Sequence, residues 1–455
     1  MSNRLYHLNS RSVVPAHWFQ ALLLTFGIIL TSFGLAAHGQ TTSLPPPAEA
    51  GFEHVVVVMM ENRSFDHFFG WLPGANGQQA ALVYKDSAGV SHTTHALAPD
   101  YQGCPFLDPG HSYTDGRVQF HGGAADGWLS NGSDASTTNP NQANDIFAIG
   151  YYLQSDLAFL GAAGPAFTVC DNYFCGIMAE TYPNRFYMHA AQTDRLVNGS
   201  ATSTLPTIWD RLQEKGLSGR YYFSDLPFLA LWGTRYANIS KPFSQFLVDA
   251  AAGTLPNVAY IDPRFEDEGS GTSGDDHPHA DIRDGEVFLN QIYDALRTSP
   301  NWSKTVLIIN YDEWGGFFDH VPPPLAPIPT ASAAAGDTDG RLGFRVPCVV
   351  ISPYAQRGVI AHGLYDHTSI LKMIEWRFGL PPLTVRDRTA NNLAEVLNLA
   401  HPDTTAPAFT VPTGPFGRPC TPVAPAANNP AAAKWTASLQ ELKTKALKSG
   451  FQGVR

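Results

Sequence analysis

The chain has few charged residues, and basic residues are the scarcer kind. Charged residues make up 15% of the 455, with 29 Lys and Arg against 40 Asp and Glu, which gives a formal net charge of −11. Proteins that bind nucleic acid normally present a basic surface to the phosphate backbone. The composition therefore predicts no nucleic-acid partner.

Cysteine is scarce as well. The chain has five cysteines, and none of them belongs to the C-x-x-C pattern that is typical of a zinc site. Cys170 and Cys175 are close enough in sequence to close a small disulfide loop. A second bridge and one free thiol are then expected among Cys104, Cys348 and Cys420. Disulfide bonds indicate an oxidising compartment.

The sequence contains no internal repeat, and residues that interrupt helices are frequent. The 40 Gly and 35 Pro indicate many loops and argue against a helical bundle. A chain of 455 residues has room for one large domain or two ordinary ones.

Residues 1–39 have the pattern of a signal peptide. Arg4 and Arg11 precede a nearly uncharged apolar stretch over 19–35, and a small-x-small sequence ends at Gly39. An uncleaved anchor is the alternative, because the stretch is long for a signal peptide and short for a membrane span. We expect a secreted or periplasmic protein with a linker over 40–51. Membrane contact is then at most peripheral or through that anchor.

Two apolar runs, residues 55–60 and 306–310, each end in side chains that carry oxygen. These side chains are Glu61, Asn62, Asp312 and Glu313. Such runs are typical of buried parallel strands, and ligands bind at the carboxyl edge of a parallel sheet. A capped turn with solvated charges explains either pair alone. The two pairs together favour a shared site for a divalent metal, because buried carboxylates need a cation.

A hydroxyl group lies at the predicted start of a helix. The helical pattern covers 184–193, and Pro183 stands where the first turn of a helix tolerates it, which puts Thr181 at or just before the N-terminus. Backbone N–H groups at a helix N-terminus favour an anion such as phosphate. Thr181 is therefore either a plain N-cap or, beside an anion site and a metal, a nucleophile.

Five short motifs occur in order between about residues 53 and 380. They begin at Glu61 (ENRSFDH), Thr181 (TYPNR), Asp276 (DHPH), Tyr311 (YDEWGG) and Phe318 (FDHV). Together they resemble the bacterial phospholipase C and acid phosphatase family of phosphoesterases, which belongs to the alkaline phosphatase superfamily. The resemblance implies an α/β fold, a three-layer α/β/α sandwich with a central, mostly parallel sheet.

The resemblance also implies a set of site residues. A divalent metal ion (Ca, Mg, Mn or Zn) is expected on Glu61, Asn62, Thr181, Asp312 and Glu313. Thr181 is expected to be the nucleophile as well, and the implied catalytic histidines are His111, His277, His279 and His320. The residues expected to contact the substrate are Asn184, Arg185 and His367.

The implied activity is that of an exported, metal-dependent hydrolase of phosphate esters that acts through a phosphothreonine intermediate. Cleavage of diesters and of monoesters both stay open, and a phospholipid head group is one option for the substrate. The larger phospholipase C members carry C-terminal β-domains for which this chain has no room, which argues against a lipid. We expect the catalytic domain over 52–400 and a Pro/Ala-rich tail over 401–455 that ends in a packed helix.

Two alternatives to this activity remain. A sulfatase-like hydrolase of the same superfamily is disfavoured, because Thr181 cannot be converted to the aldehyde that sulfatases use. A non-catalytic, secreted metal-binding protein would need neither a nucleophile nor a general acid.

Overall fold

The computed structural model describes residues 44–130, 143–266, 272–420 and 430–455, with side chains of the last segment from 434 onward. The predicted signal peptide over 1–39 lies outside these residues. Within the part of the chain that is described, none of the helices combines the length and the apolar content needed to cross a membrane.

The strands are short apart from two long central ones. They are β1 (His54–Met60), β2 (Val83–Lys85), β3 (Ser91–Thr93), β4 (His95–Ala96), β5 (Gly150–Tyr151), β6 (Thr168–Cys170), β7 (Tyr173–Phe174), β8 (Gly219–Phe223), β9 (Ser240–Pro242), β10 (Val258–Asp262), β11 (Thr305–Tyr311), β12 (Cys348–Ile351), β13 (Val359–Ala361) and β14 (Tyr365–Asp366).

The chain also forms α-helices, which pack around these strands. They are α1 (Phe65–Phe69), α2 (Tyr113–Phe120), α3 (Leu160–Ala166), α4 (Thr181–Ala190), α5 (Ile208–Glu214), α6 (Phe243–Ala252), α7 (Ile282–Arg297), α8 (Thr330–Ala335), α9 (His367–Phe378), α10 (Val385–Thr389) and α11 (Pro430–Lys448). Short 3-10 helices lie at Pro47–Glu49, His121–Gly123, Ile146–Ile149, Gln154–Asp156, Phe228–Trp232, Trp302–Lys304 and Leu393–Val396.

The central sheet has eight strands in the order β13-β6-β12-β11-β1-β10-β8-β9. Among these eight, β12 runs antiparallel to both of its neighbours and the other pairings are parallel. Helices pack on the sheet to complete three α/β/α layers. The predicted fold class is confirmed.

The two strands that the sequence singled out are neighbours at the centre of the sheet. β1 and β11 pair in parallel over their whole lengths, from His54 beside Thr305 to Met60 beside Tyr311. Every residue of both strands is buried, as expected for β-branched and aliphatic runs in a parallel sheet. The residues that follow them therefore emerge side by side at one edge.

Strands β6 and β7 are close in sequence but belong to different sheets. The chain turns between them at Asp171, whose carboxylate accepts hydrogen bonds from the Asn76 backbone and from His362.

The cysteine pairing is partly as expected. Cys104 and Cys420 form a disulfide bond across 316 residues of sequence, while Cys170, Cys175 and Cys348 are free and buried. The predicted bridge between Cys170 and Cys175 is wrong. Cys170 ends a strand of the central sheet, whereas Cys175 follows β7 and its thiol faces the carbonyl of Ile177.

We expect the disulfide to stabilise the fold, because it closes a long loop in the unfolded chain. Changing Cys420 to Ser should lower the free energy of unfolding by about 3 kcal/mol, seen as a lower unfolding temperature. Treating the wild-type protein with dithiothreitol should have the same effect and should not affect the variant further. An unchanged unfolding temperature in both experiments would contradict the prediction.

Candidate active site

The ends of β1 and β11 bring together the four oxygen-bearing residues that the sequence singled out. Glu61 and Asn62 follow β1, Asp312 and Glu313 follow β11, and all four are fully buried. The backbone N–H of Asn62 donates to Oδ1 of Asp312 at 3.2 Å. The expected convergence of the two strand ends is thus present, while metal binding itself stays a prediction.

Thr181 joins this group from the N-terminus of α4. It is the first residue of the helix, and its hydroxyl donates to Oε1 of Glu61 at 2.9 Å. Only 1% of its surface is exposed. The N-cap residue is Glu180, so the hydroxyl of Thr181 is not used as the helix cap.

Residues with a positive backbone angle φ follow both strands. Asn62 has φ of 35°, in the left-handed region that few residues other than glycine adopt. Gly315 has φ of 63°, and a Cβ there would lie 2.2 Å from the carbonyl oxygen of Asn62. The glycine lets the two strand-end turns pack against each other. Oδ1 of Asn62 is buried and accepts no hydrogen bond from the described residues.

Burial disfavours the charged forms of both carboxyl groups after β11. It raises the pKa of Glu313 to about 8, although His111 opposes the shift. It also raises the pKa of Asp312, against the opposing charge of Arg185. A bound cation would stabilise the ionised forms of these groups.

Arg185 supplies one positive charge to this site. Its Nε lies 3.0 Å from Oδ2 of Asp312, its Nη1 3.1 Å from Oδ1 of Asp262 and its Nη2 3.6 Å from Oε2 of Glu61. The guanidinium also donates to the last carbonyls of β1. Its nitrogens are thus committed to the strand ends.

The expectation that Asn184 and Arg185 contact the substrate stays a prediction, and in the structure both side chains bind protein atoms. Asn184 accepts a hydrogen bond from the backbone of Ile177 and donates to the carbonyls of Ala179 and Glu180. These bonds hold the turn before α4. Both side chains therefore help to position the start of α4.

His367 was also expected to contact the substrate, and this too stays a prediction. Its Nε2 lies 2.7 Å from the backbone carbonyl of Asp312, and its Nδ1 lies 3.1 Å from the hydroxyl of Tyr173. Because a carbonyl only accepts, Nε2 carries the proton. Burial lowers the pKa of His367 to about 4, so the neutral ring orients the strand end.

The rings of His111 and His277 lie close to these carboxyl groups and meet edge-on, with ring centroids 6.3 Å apart. Nε2 of His111 lies 3.5 Å from Oε1 of Glu313, and its Nδ1 lies 4.0 Å from Oδ1 of Asp108. Nε2 of His277 lies 3.8 Å from the other oxygen of Asp108. The two rings therefore share one buried carboxylate.

The two rings differ in their electrostatics. Burial would lower the pKa of His111, but the charges of Glu313 and Asp108 outweigh it and raise the pKa to about 9. Burial lowers the pKa of His277, and Asp108 offsets this only in part. The surroundings thus favour the charged form of His111 and the neutral form of His277.

Two other predicted catalytic histidines, His279 and His320, form hydrogen bonds with residues outside the strand ends. Nε2 of His279 lies 3.0 Å from the carbonyl of Phe106. Nδ1 of His320 lies 2.5 Å from Oδ2 of Asp66, and its Nε2 lies 3.1 Å from Oδ1 of Asn76. These bonds hold the rings on neighbouring loops, and the assignment of both residues to the phosphate site stays a prediction.

His320 belongs to a separate polar cluster with Asp66 and Asp319. Within the residues that the structure describes, these three form the one group of acidic and histidine side chains whose ligand atoms all lie within 4.8 Å of one another. Arg345 bonds to both carboxylates, and backbone N–H groups fill their remaining positions. The cluster joins loops of the fold and has no oxygen left for a metal.

Sequence reasoning missed two carboxylates of the site. They are Asp108, three residues before His111, and Asp262. Asp262 ends β10, the other neighbour of β1. The rule that identified Glu61, a carboxylate at the end of a buried strand, applies to it as well.

Comparison with known proteins identifies the family to which the chain is similar. The model of the Phosphoesterase family matches residues 52–381. Phospholipase C A of Mycobacterium tuberculosis is 31% identical over 431 residues, covering 79% of this chain and 80% of that protein. Non-specific phospholipase C1 of Arabidopsis thaliana is 30% identical over 388 residues, covering 78% and 72%.

Among solved structures, the chain aligns with a protein of the alkaline phosphatase superfamily from Vibrio parahaemolyticus. The TM-score is 0.37 and the identity 9%, over 76% of this chain and 71% of that one. The family match spans the strand ends, α4 and the loops that carry His111 and His277. The chain belongs to the phosphoesterase family and is a hydrolase that acts on phosphoric ester bonds.

Proposed function

We propose that the protein is an exported, metal-dependent phosphoesterase that cleaves its substrates through a phosphothreonine intermediate at Thr181. The observation that carries the proposal is the hydrogen bond from Thr181 to Glu61, which places a hydroxyl at a helix N-terminus beside two acidic strand ends. The names of the relatives support a phosphodiester substrate of the phospholipase C type.

The first step transfers the phosphoryl group to the protein. Oγ of Thr181 attacks phosphorus and passes its proton to Glu61, whose oxygen already accepts the hydrogen bond. The bond from phosphorus to the substrate alcohol breaks. We assign the proton donor to His111, because it lies between the carboxylates of Asp108 and Glu313 and is therefore favoured as a cation.

The second step releases the phosphoryl group. Water attacks the phosphothreonine from the side that the alcohol has left, and the bond from phosphorus to Thr181 breaks as the Thr181 oxygen takes back the proton that Glu61 accepted. His277 accepts the proton of this water, because it lies beside His111 and burial favours its neutral form. This proton then passes to His111, which gave one up in the first step.

The donor set of the strand ends fits a divalent metal ion. Glu61, Asn62, Thr181, Asp312 and Glu313 would hold it through oxygen atoms, the ligands that hard cations prefer. The bare, buried Oδ1 of Asn62 supports this set, because an amide oxygen without a partner is costly to bury. When bound, such an ion neutralises phosphoryl oxygens and makes a neighbouring hydroxyl more acidic.

Replacing Thr181 by Ala tests the covalent step. The variant should fold and lose at least about a thousandfold in kcat/KM, because no other hydroxyl takes its place. Thr181→Ser should retain partial activity. Assays on p-nitrophenyl phosphate and p-nitrophenylphosphorylcholine measure the loss, and mass spectrometry of acid-quenched wild-type enzyme should find phosphate on the Thr181 peptide. Strong activity in the Ala variant would rule out the phosphothreonine.

Replacing Asp312 by Asn tests the metal. It keeps the shape of the side chain but removes its charge, so bound metal measured by mass spectrometry should fall and the rate should drop at least about a thousandfold. Glu375→Gln is the matched control, since Glu375 is also a buried carboxyl group but belongs to α9 and not to the strand ends. Unchanged metal content and rate in Asp312→Asn would refute the site.

The export proposal has its own test. The full chain should be processed after Gly39, so N-terminal sequencing of the exported protein should begin at Gln40. Recovery of an intact N-terminus in the membrane fraction would show instead that residues 1–39 are an anchor.

A further inference from the structure

The C-terminal helix α11 lies directly over the turn that carries Thr181. Nζ of Lys434 is 2.8 Å from Oε1 of Glu180, and the hydroxyl of Tyr182 donates to the carbonyl of Ser438 at 3.1 Å. The two residues that flank Thr181 in sequence are therefore both held by α11.

Trp435 of this helix covers His277. The two rings are stacked, with centroids 5.4 Å apart and an interplanar angle of 15°. The indole also meets the ring of Tyr182 edge-on, at 6.2 Å and 71°. Trp435 is 6% exposed, while His277 and Thr181 are each 1% exposed. An apolar wall thus closes the site on the side of His277.

This wall comes from outside the residues that match the family, which end at 381. The chain that leads toward it is fixed on the catalytic side of the molecule. Cys420 is bonded to Cys104, and Gln102 exchanges hydrogen bonds with the backbone of Arg418. α11 is held in place by its own contacts to Glu180 and Tyr182.

We propose that Trp435 is a specificity-determining residue that limits the width of the alcohol half of the substrate next to the phosphoester oxygen. The inference rests on the proposed function. In an in-line mechanism the water of the second step enters where the alcohol left, so the neighbourhood of His277 is also the alcohol site. An indole stacked on that ring excludes groups that are wide at this point, which favours the unbranched primary alcohol of a phospholipase C substrate over wide ring systems.

Trp435→Ala tests the wall, with Trp435→Phe as a milder change that keeps an aromatic ring. Trp302→Ala is the matched control, because Trp302 is also 6% exposed but lies before β11, where its indole donates to the carbonyl of Thr404. Each variant is assayed with p-nitrophenyl phosphate and with the bulkier 4-methylumbelliferyl phosphate. The reaction of His277 with diethylpyrocarbonate, mapped by peptide mass spectrometry, reports its accessibility independently of activity.

In Trp435→Ala, the ratio of kcat/KM for the bulky ester to that for the small one should rise at least about tenfold. The rise should be smaller in Trp435→Phe and absent in Trp302→Ala, and modification of His277 should increase in Trp435→Ala alone. An unchanged ratio overturns the width limit, whatever the labelling shows. If the wild-type protein cleaves neither ester and no other phosphoester, the proposed function fails. Unchanged labelling of His277 in Trp435→Ala would separately show that Trp435 does not shield His277 from solvent.

Discussion

The parallel pairing of β1 with β11 is the constraint on which the site depends. Because Met60 lies beside Tyr311, the strands end at the same level, and Glu61 and Asp312 follow at once on one edge of the sheet. Side chains that are 250 positions apart in sequence become neighbours through this register. A shift by one residue would turn the carboxylates to opposite faces of the sheet.

The pairing also brings acidic side chains together where water is excluded. The positive charge of Arg185 lowers the free-energy cost of burying them. Its guanidinium joins Glu61, Asp262 and Asp312, at the ends of three adjacent strands. Thr181 and Arg185 are four residues apart in α4 and therefore share one face of the helix. The ion pairs that neutralise the strand ends thus also fix the hydroxyl against Glu61. Removing the arginine would leave buried carboxylates uncompensated, which costs several kcal/mol.

The rest of the molecule encloses this centre with loops and with the C-terminal segment. Asp108 brings His111 and His277 into one group, although they lie in separate loops. The disulfide between Cys104 and Cys420 attaches the C-terminal segment to the same side. The sheet and the loops that carry the histidines lie within the residues that match the family, whereas α11 lies beyond them.

The sequence by itself determined the strands, the oxygen-bearing residues at their ends, the helix that begins at Thr181 and the family. These features are local, since apolar runs, turn residues and short motifs can be recognised without knowing what lies next to them. Only the tertiary structure decided the partners of each polar side chain. Arg185 and His367 hold the strand ends, His320 pairs with Asp66, and Trp435 covers His277. Each of these contacts joins residues far apart in sequence, and a buried polar group takes the partner that the packed chain brings within reach, which no local pattern encodes.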